Sequence, residues 1–155
     1  MIKRIKYFSL VLLFVPLVFS CGMDEFKPYD HSFFHIMKDG ISSTTVSSKA
    51  RVVGEYKIYL SSKPLSESVT VEYSIIAGDG LTEGVDYELI TSGTSLNFLP
   101  GIYDMPIRIK WLPHTLDSQK NNTLTIRIES NSLDLTMGLP GKDQLQREFT
   151  ITKKN

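Results

Sequence analysis

From residue 51 onward, apolar and polar residues alternate with a period of two. No stretch after residue 30 sustains the 3.6-residue spacing of an amphipathic helix. In "RVVGEYKIYL", Val52, Tyr56, Ile58 and Leu60 are expected on one face, and Val53, Glu55, Lys57 and Tyr59 on the other. In "VTVEYSI", Val69, Val71, Tyr73 and Ile75 share a face. In "MPIRIKW", Met105, Ile107, Ile109 and Trp111 oppose Arg108 and Lys110. "LTIRI" sets Leu124, Ile126 and Ile128 against Thr125 and Arg127. Near the end, Leu145, Arg147, Phe149 and Ile151 share a face. A strand with one apolar and one polar face is buried on one side only, as in an antiparallel sandwich.

The punctuation agrees with this. "SSKPLSE", "AGDG", "TSGTS", "LPG" and "SQKNN" are turn signals between the alternating runs. "SSTTVSSK" fits a short edge strand or a linker, and "NNT" at Asn121–Thr123 reads as a turn into the next strand. Pro106 cannot donate to a ladder, so its strand should be an edge, a start or a bulge at that point. About 120 residues can bury a core without disulfides, and the chain has a single cysteine.

Within this pattern, Gly84-Val85-Asp86-Tyr87 is followed by Leu96, Phe98, Pro100 and Gly101, then by a long alternating strand, by "NTLTIRIES" and by "REFTITKK". The series resembles a Calx-beta domain over about residues 33–153. The resemblance implies an immunoglobulin-like sandwich of about seven strands with Greek-key connections. Calcium-binding members cluster acidic residues in loops at one end, and usually carry consecutive acids after the long strand. This chain has "LPHTLDSQKNN" there, with Asp117 as its one acid. Asp79, Glu83, Asp86 and Glu88 lie near one loop, but six to eight oxygens are needed around calcium. Asp86 is expected to cap its own turn. No metal and no cofactor is expected.

The start of the chain has a different character. Met1 to Lys6 is basic, and Tyr7 to Phe19 is apolar apart from Ser9 and Pro16. That run has the length of a signal-peptide core and is short of the roughly 20 residues that span a bilayer. Val18-Phe19-Ser20 then precedes Cys21. This resembles the lipobox of bacterial lipoproteins and implies a diacylglycerol thioether on Cys21, with cleavage before it. Residues 1–20 are thus expected to be a signal peptide, 21–31 a lipidated tether, and 32–155 the folded domain. Gly22 stands where Asp often marks inner-membrane retention. The acidic pair Asp24 and Glu25 resembles the surface-export signal of lipoproteins in the Bacteroidota. The expected location is the outer membrane, at the cell surface rather than its periplasmic face.

Signs of chemistry are few. Without residues 1–20, the chain holds 14 basic and 17 acidic residues, a net charge of −3. No basic run marks a nucleic-acid partner. His31 and His35 on one strand face would stand about 13 Å apart, too far for a shared metal, and His114 is distant in sequence. No nucleophile elbow and no phosphate loop occurs, so an enzyme is not expected. Trp111 is in register with Ile107 and Ile109 and should close the end of the core. Tyr59 and Tyr103 are the aromatics expected to face outward and to contact a ligand. The sequence therefore points to a lipid-anchored, non-catalytic envelope module for binding or adhesion, accessory to glycan capture. Its membrane partner is reached through Cys21, and its other partner is a protein or a glycan. The alternative is a structural subunit of an envelope complex, and a hydrolase is weaker still.

Overall fold

The computed structural model describes residues 31–155. The leader and the expected site residues Cys21, Asp24 and Glu25 lie outside the described residues. Ten strands follow in order: β1 (Phe33–Met37), β2 (Ser43–Ser47), β3 (Val53–Ser61), β4 (Val69–Ala77), β5 (Tyr87–Leu89), β6 (Ser95–Phe98), β7 (Asp104–Trp111), β8 (Thr123–Asn131), β9 (Thr136–Met137) and β10 (Glu148–Lys154).

They form an all-β sandwich of two five-stranded sheets, ordered β5-β7-β3-β1-β9 and β2-β10-β8-β4-β6. Odd-numbered strands make one sheet and even-numbered strands the other. Every connection therefore arches from one layer to the other, and no two consecutive strands pair. The expected antiparallel pairing holds except at β1–β9 and β10–β2, which are parallel, so both sheets are mixed. The strand number exceeds the expected seven mainly through short pieces and through β1. In β1, Phe34 and Ile36 are buried while Phe33, His35 and Met37 face outward. With large side chains on both faces, the run "FFHIM" shows no alternation by type.

The inner faces meet through the residues that alternation had selected. Ile58, Leu60, Val69, Val71, Ile107, Ile109, Leu124, Ile126, Phe149 and Ile151 are all buried. Aromatic contacts cross between layers: Phe34 meets Phe98 edge-on at 5.2 Å, and Tyr56 meets Phe149 at 5.3 Å. Such pairs contribute about 0.5–1.5 kcal/mol beyond area burial. Trp111 closes one end as expected, buried with its indole N–H donating to the Tyr56 hydroxyl at 3.0 Å.

Two expectations about facing are corrected. Val52 precedes β3 and is 55 % exposed, so it does not share the buried face of Tyr56 and Ile58. Leu145 is also exposed, because β10 begins only at Glu148.

Pro106 sits inside β7, opposite Lys57. Trp111 N–H and Tyr103 C=O both bond to β3 or its flank, so odd-numbered positions of β7 turn their backbone toward β3. Even-numbered positions turn theirs toward β5, as Arg108 N–H does in donating to Thr91 Oγ1. β5 pairs only from Trp111 to Ile109. The missing N–H of Pro106 thus falls where β7 is locally an edge.

Register also fixes the two ends of the sandwich. Phe33 pairs with Ser61, and Val69 with Phe98, at the end where the described chain enters. Tyr87, Trp111 and Lys154 lie at the opposite, distal end.

Candidate functional site

Strands β1 and β3 place His35 directly opposite Tyr59. Both side chains stand on the outer face, and their rings stack at 5.4 Å with an interplanar angle of 18°. The Phe33 ring lies 5.3 Å from His35 on its other flank in sequence. His35 Nδ1 is buried and has no hydrogen-bond partner among the described residues. Burial lowers the His35 pKa from its ordinary 6.5, because the charged ring loses solvation. Beside this row, Tyr59 borders an open groove of about 330 Å³ with Met37, Lys38, Asp39, Glu55 and Lys57. Lys57 pairs with Asp104 at 2.8 Å, and Glu55 with Arg108 at 2.7 Å. An aromatic ring beside fixed charges and hydrogen-bonding groups suits a polar, ring-shaped ligand.

Tyr103 is brought elsewhere. It is 39 % exposed, but not because alternation turns it outward as expected. In register it continues the odd-numbered row of Met105 and Ile107, which faces the core, and its carbonyl accepts from Leu60 N–H at 2.8 Å. It escapes burial because it lies ahead of β7, at the entry end. Tyr59 and Tyr103 therefore do not form one platform.

At the distal end the Gly-x-Asp-Tyr turn builds a second cluster. Gly84 has φ 81°, a conformation that favours glycine. Asp86 Oδ2 accepts from Thr82 N–H at 2.9 Å, the turn cap expected from sequence. Its other oxygen does more. Lys153 Nζ, buried on β10, donates to Asp86 Oδ1 at 2.9 Å, to Asp86 C=O at 3.1 Å and to Leu112 C=O at 2.8 Å. His114 Nδ1 lies 3.1 Å from the same Oδ1. Burial works to raise the Asp86 pKa. Hydrogen bonds from Lys153, Thr82 and His114, and the Lys153 charge, outweigh burial and hold the carboxyl below its ordinary value. Lys153 shares the parity of Phe149 and Ile151, and continuing that alternation by one step would have located it.

These residues do not fit a calcium ion. Asp86 is the one carboxylate in the cluster, and the Lys153 ammonium already sits among its oxygens. Two other acids of the region are engaged separately: Asp79 accepts from Asn121 N–H at 2.8 Å, and Glu88 pairs with Lys110 at 2.8 Å. Among the described residues no three His, Cys, Asp or Glu side chains converge as metal ligands.

Comparison with solved structures agrees with the fold. The chain is similar to CBD12 from CALX1.2, with a TM-score of 0.56 and 17% identity over 78% of this chain and 43% of that one. It is equally similar to the calcium binding domain CBD12 of CALX1.1, with a TM-score of 0.55 and 17% identity over 81% of this chain and 44% of that one. A protein of unknown function from Bacteroides ovatus aligns at a TM-score of 0.46 and 14% identity, over 81% of this chain and 47% of that one. The chain thus has a Calx-beta-like fold and spans less than half the length of the structures it resembles. No family model and no curated protein matches the sequence.

Proposed function

We propose that this protein is a non-catalytic, lipid-anchored module of a bacterial outer membrane, facing the cell surface and binding a glycan. The anchor is Cys21, with Asp24 and Glu25 as its export signal, an assignment resting on the lipobox-like sequence alone. The observation that carries the binding reading is the stacked pair of Tyr59 and His35 beside a groove walled by Lys57 and Glu55. The aromatic ring of Tyr59 and the neighbouring charged groups offer apolar and hydrogen-bonding contact together, as a pyranose requires. Protease accessibility on intact cells tests the location, and a glycan array with the full chain and Tyr59→Ala tests the site. Binding that is lost in Tyr59→Ala supports the reading. Binding unchanged in that variant, or absent altogether, overturns it.

A second reading, a subunit of an envelope protein complex, is favoured by the edge strand β2. Its sequence STTVS has no charge and no proline, and its one strand partner is β10. Such an edge is open to strand addition by another protein. A stable copurifying envelope protein, together with no glycan binding, decides for this reading.

A further inference from the structure

Three of the exposed large hydrophobic residues fall within one five-residue stretch, the turn from β6 to β7. Leu99 is 57 % exposed, Ile102 44 % and Tyr103 39 %. No other five-residue stretch among the described residues carries three. The turn itself is well defined: Ile102 N–H donates to Leu99 C=O at 2.9 Å, and Gly101 takes φ 86°. Between Ile90 and Tyr103 the sequence has no charged residue and no histidine.

The position of this tip is as informative as its composition. Phe34 pairs with Leu60, and Leu60 N–H bonds to Tyr103 C=O. Tyr103 therefore lies two strand spacings, about 10 Å, from β1 in the row next to where the chain enters. From Cys21 to His31 there are ten residues, which reach at most about 35 Å. Strand β3 alone, nine residues long, covers about 30 Å along the sandwich. The tether therefore joins the fold at the entry end, beside the Leu99–Tyr103 turn, while Asp86 and Lys153 lie about a strand length away at the distal end.

We propose that the Leu99–Tyr103 turn is a membrane-contacting tip, which seats Leu99 and Ile102 at the headgroup–acyl boundary with the Tyr103 hydroxyl in the headgroup layer. Two aliphatic side chains and a tyrosine on an uncharged turn match the preferences of a bilayer interface. The inference rests on the lipid anchor at Cys21. It turns the tether from a spacer into a leash that holds the entry end against the bilayer.

The test uses the full chain from a lipoprotein-processing host, reconstituted in phosphatidylethanolamine/phosphatidylglycerol vesicles. Leu99→Cys and, separately, Val85→Cys at the distal end carry a polarity-sensitive dye. Intact mass reports the state of Cys21 in the same samples. The expected result is a blue shift at position 99, quenched by nitroxide lipids and lost when Ile102→Glu is added, with no shift at position 85. Equal signals at 99 and 85 with Cys21 lipidated overturn the tip alone. Unmodified Cys21 with no shift at 99 overturns tip and anchor together. Unmodified Cys21 with a shift at 99 overturns the anchor and leaves the tip supported.

Discussion

Lys153 Nζ lies 2.9 Å from Asp86 Oδ1, with both side chains almost wholly removed from solvent. One residue sits on β10 in the even-numbered sheet, and the other leads into β5 in the odd-numbered sheet. The pair therefore ties the two layers together at the distal end. Removing one partner of a buried pair strands the other charge, which typically costs about 3–5 kcal/mol. Lys153→Met should lower unfolding stability by about that amount in urea titration. Lys153→Met combined with Asp86→Asn should cost less than the two single changes added together. Strict additivity would show that the two groups do not interact.

The same pair bears on calcium. With an ammonium among the oxygens, the wild-type thermal midpoint should not move when calcium is added, since only a ligand that prefers the folded state stabilises it. A calcium-dependent rise that disappears in Asp86→Asn would refute this account of the distal end.

Acid should act in two separate windows. The folded Asp86 carboxyl titrates below its ordinary 3.8. Its contribution is complete above that pH and is lost as pH falls through the lower folded value. His35 titrates below its ordinary 6.5, so the unfolded chain takes up that proton first. Stability from the neutral ring is complete above 6.5 and is lost as pH drops through the folded value. Stability measured against pH should flatten below 6.5 in His35→Phe, and in the more acid window in Asp86→Asn. Profiles that match wild type in both variants would show that other groups govern acid unfolding.

Tyr59→Ala and Tyr103→Ala should part company. Tyr59 stacks on His35, so its loss should cost about 0.5–1.5 kcal/mol of stability, together with any glycan binding. Tyr103→Ala should leave glycan binding intact. Isothermal titration with the best array hit separates them, and equal losses in both would contradict their placement on different parts of the surface.

For the start of the chain, Cys21→Ala should abolish lipid modification and leave the leader uncut. Normal processing and membrane retention of that variant, followed by fractionation and mass spectrometry, would remove the anchor from the proposal.

Much of the fold was legible because most strands have one buried face. Tyr56, Ile58, Val71, Ile107, Ile126 and Phe149 all lie inside as their spacing required. β1 was less so, since Phe33 and Met37 face outward and erase the contrast with Phe34 and Ile36. The pairing order was not legible at all. Alternation says which side of a strand is buried and nothing about which strand lies beside it. The candidate site was half legible: Tyr59 follows from parity, but its partner His35 depends on register between β1 and β3. Lys153 is not legible from the sequence by residue type, because a lysine at an apolar position looks like the end of a strand. Only the three-dimensional placement of Asp86 and Leu112 explains its burial.

The odd–even weave of the strands has a mechanical consequence. In a hairpin protein, a nick between two neighbours frees a flap that can peel away. Here each arch joins strands whose bonded companions come from remote stretches of sequence. A protease that clips any one arch from β2–β3 through β8–β9 leaves both fragments with strands in each layer, and they should elute as one body until a denaturant parts them.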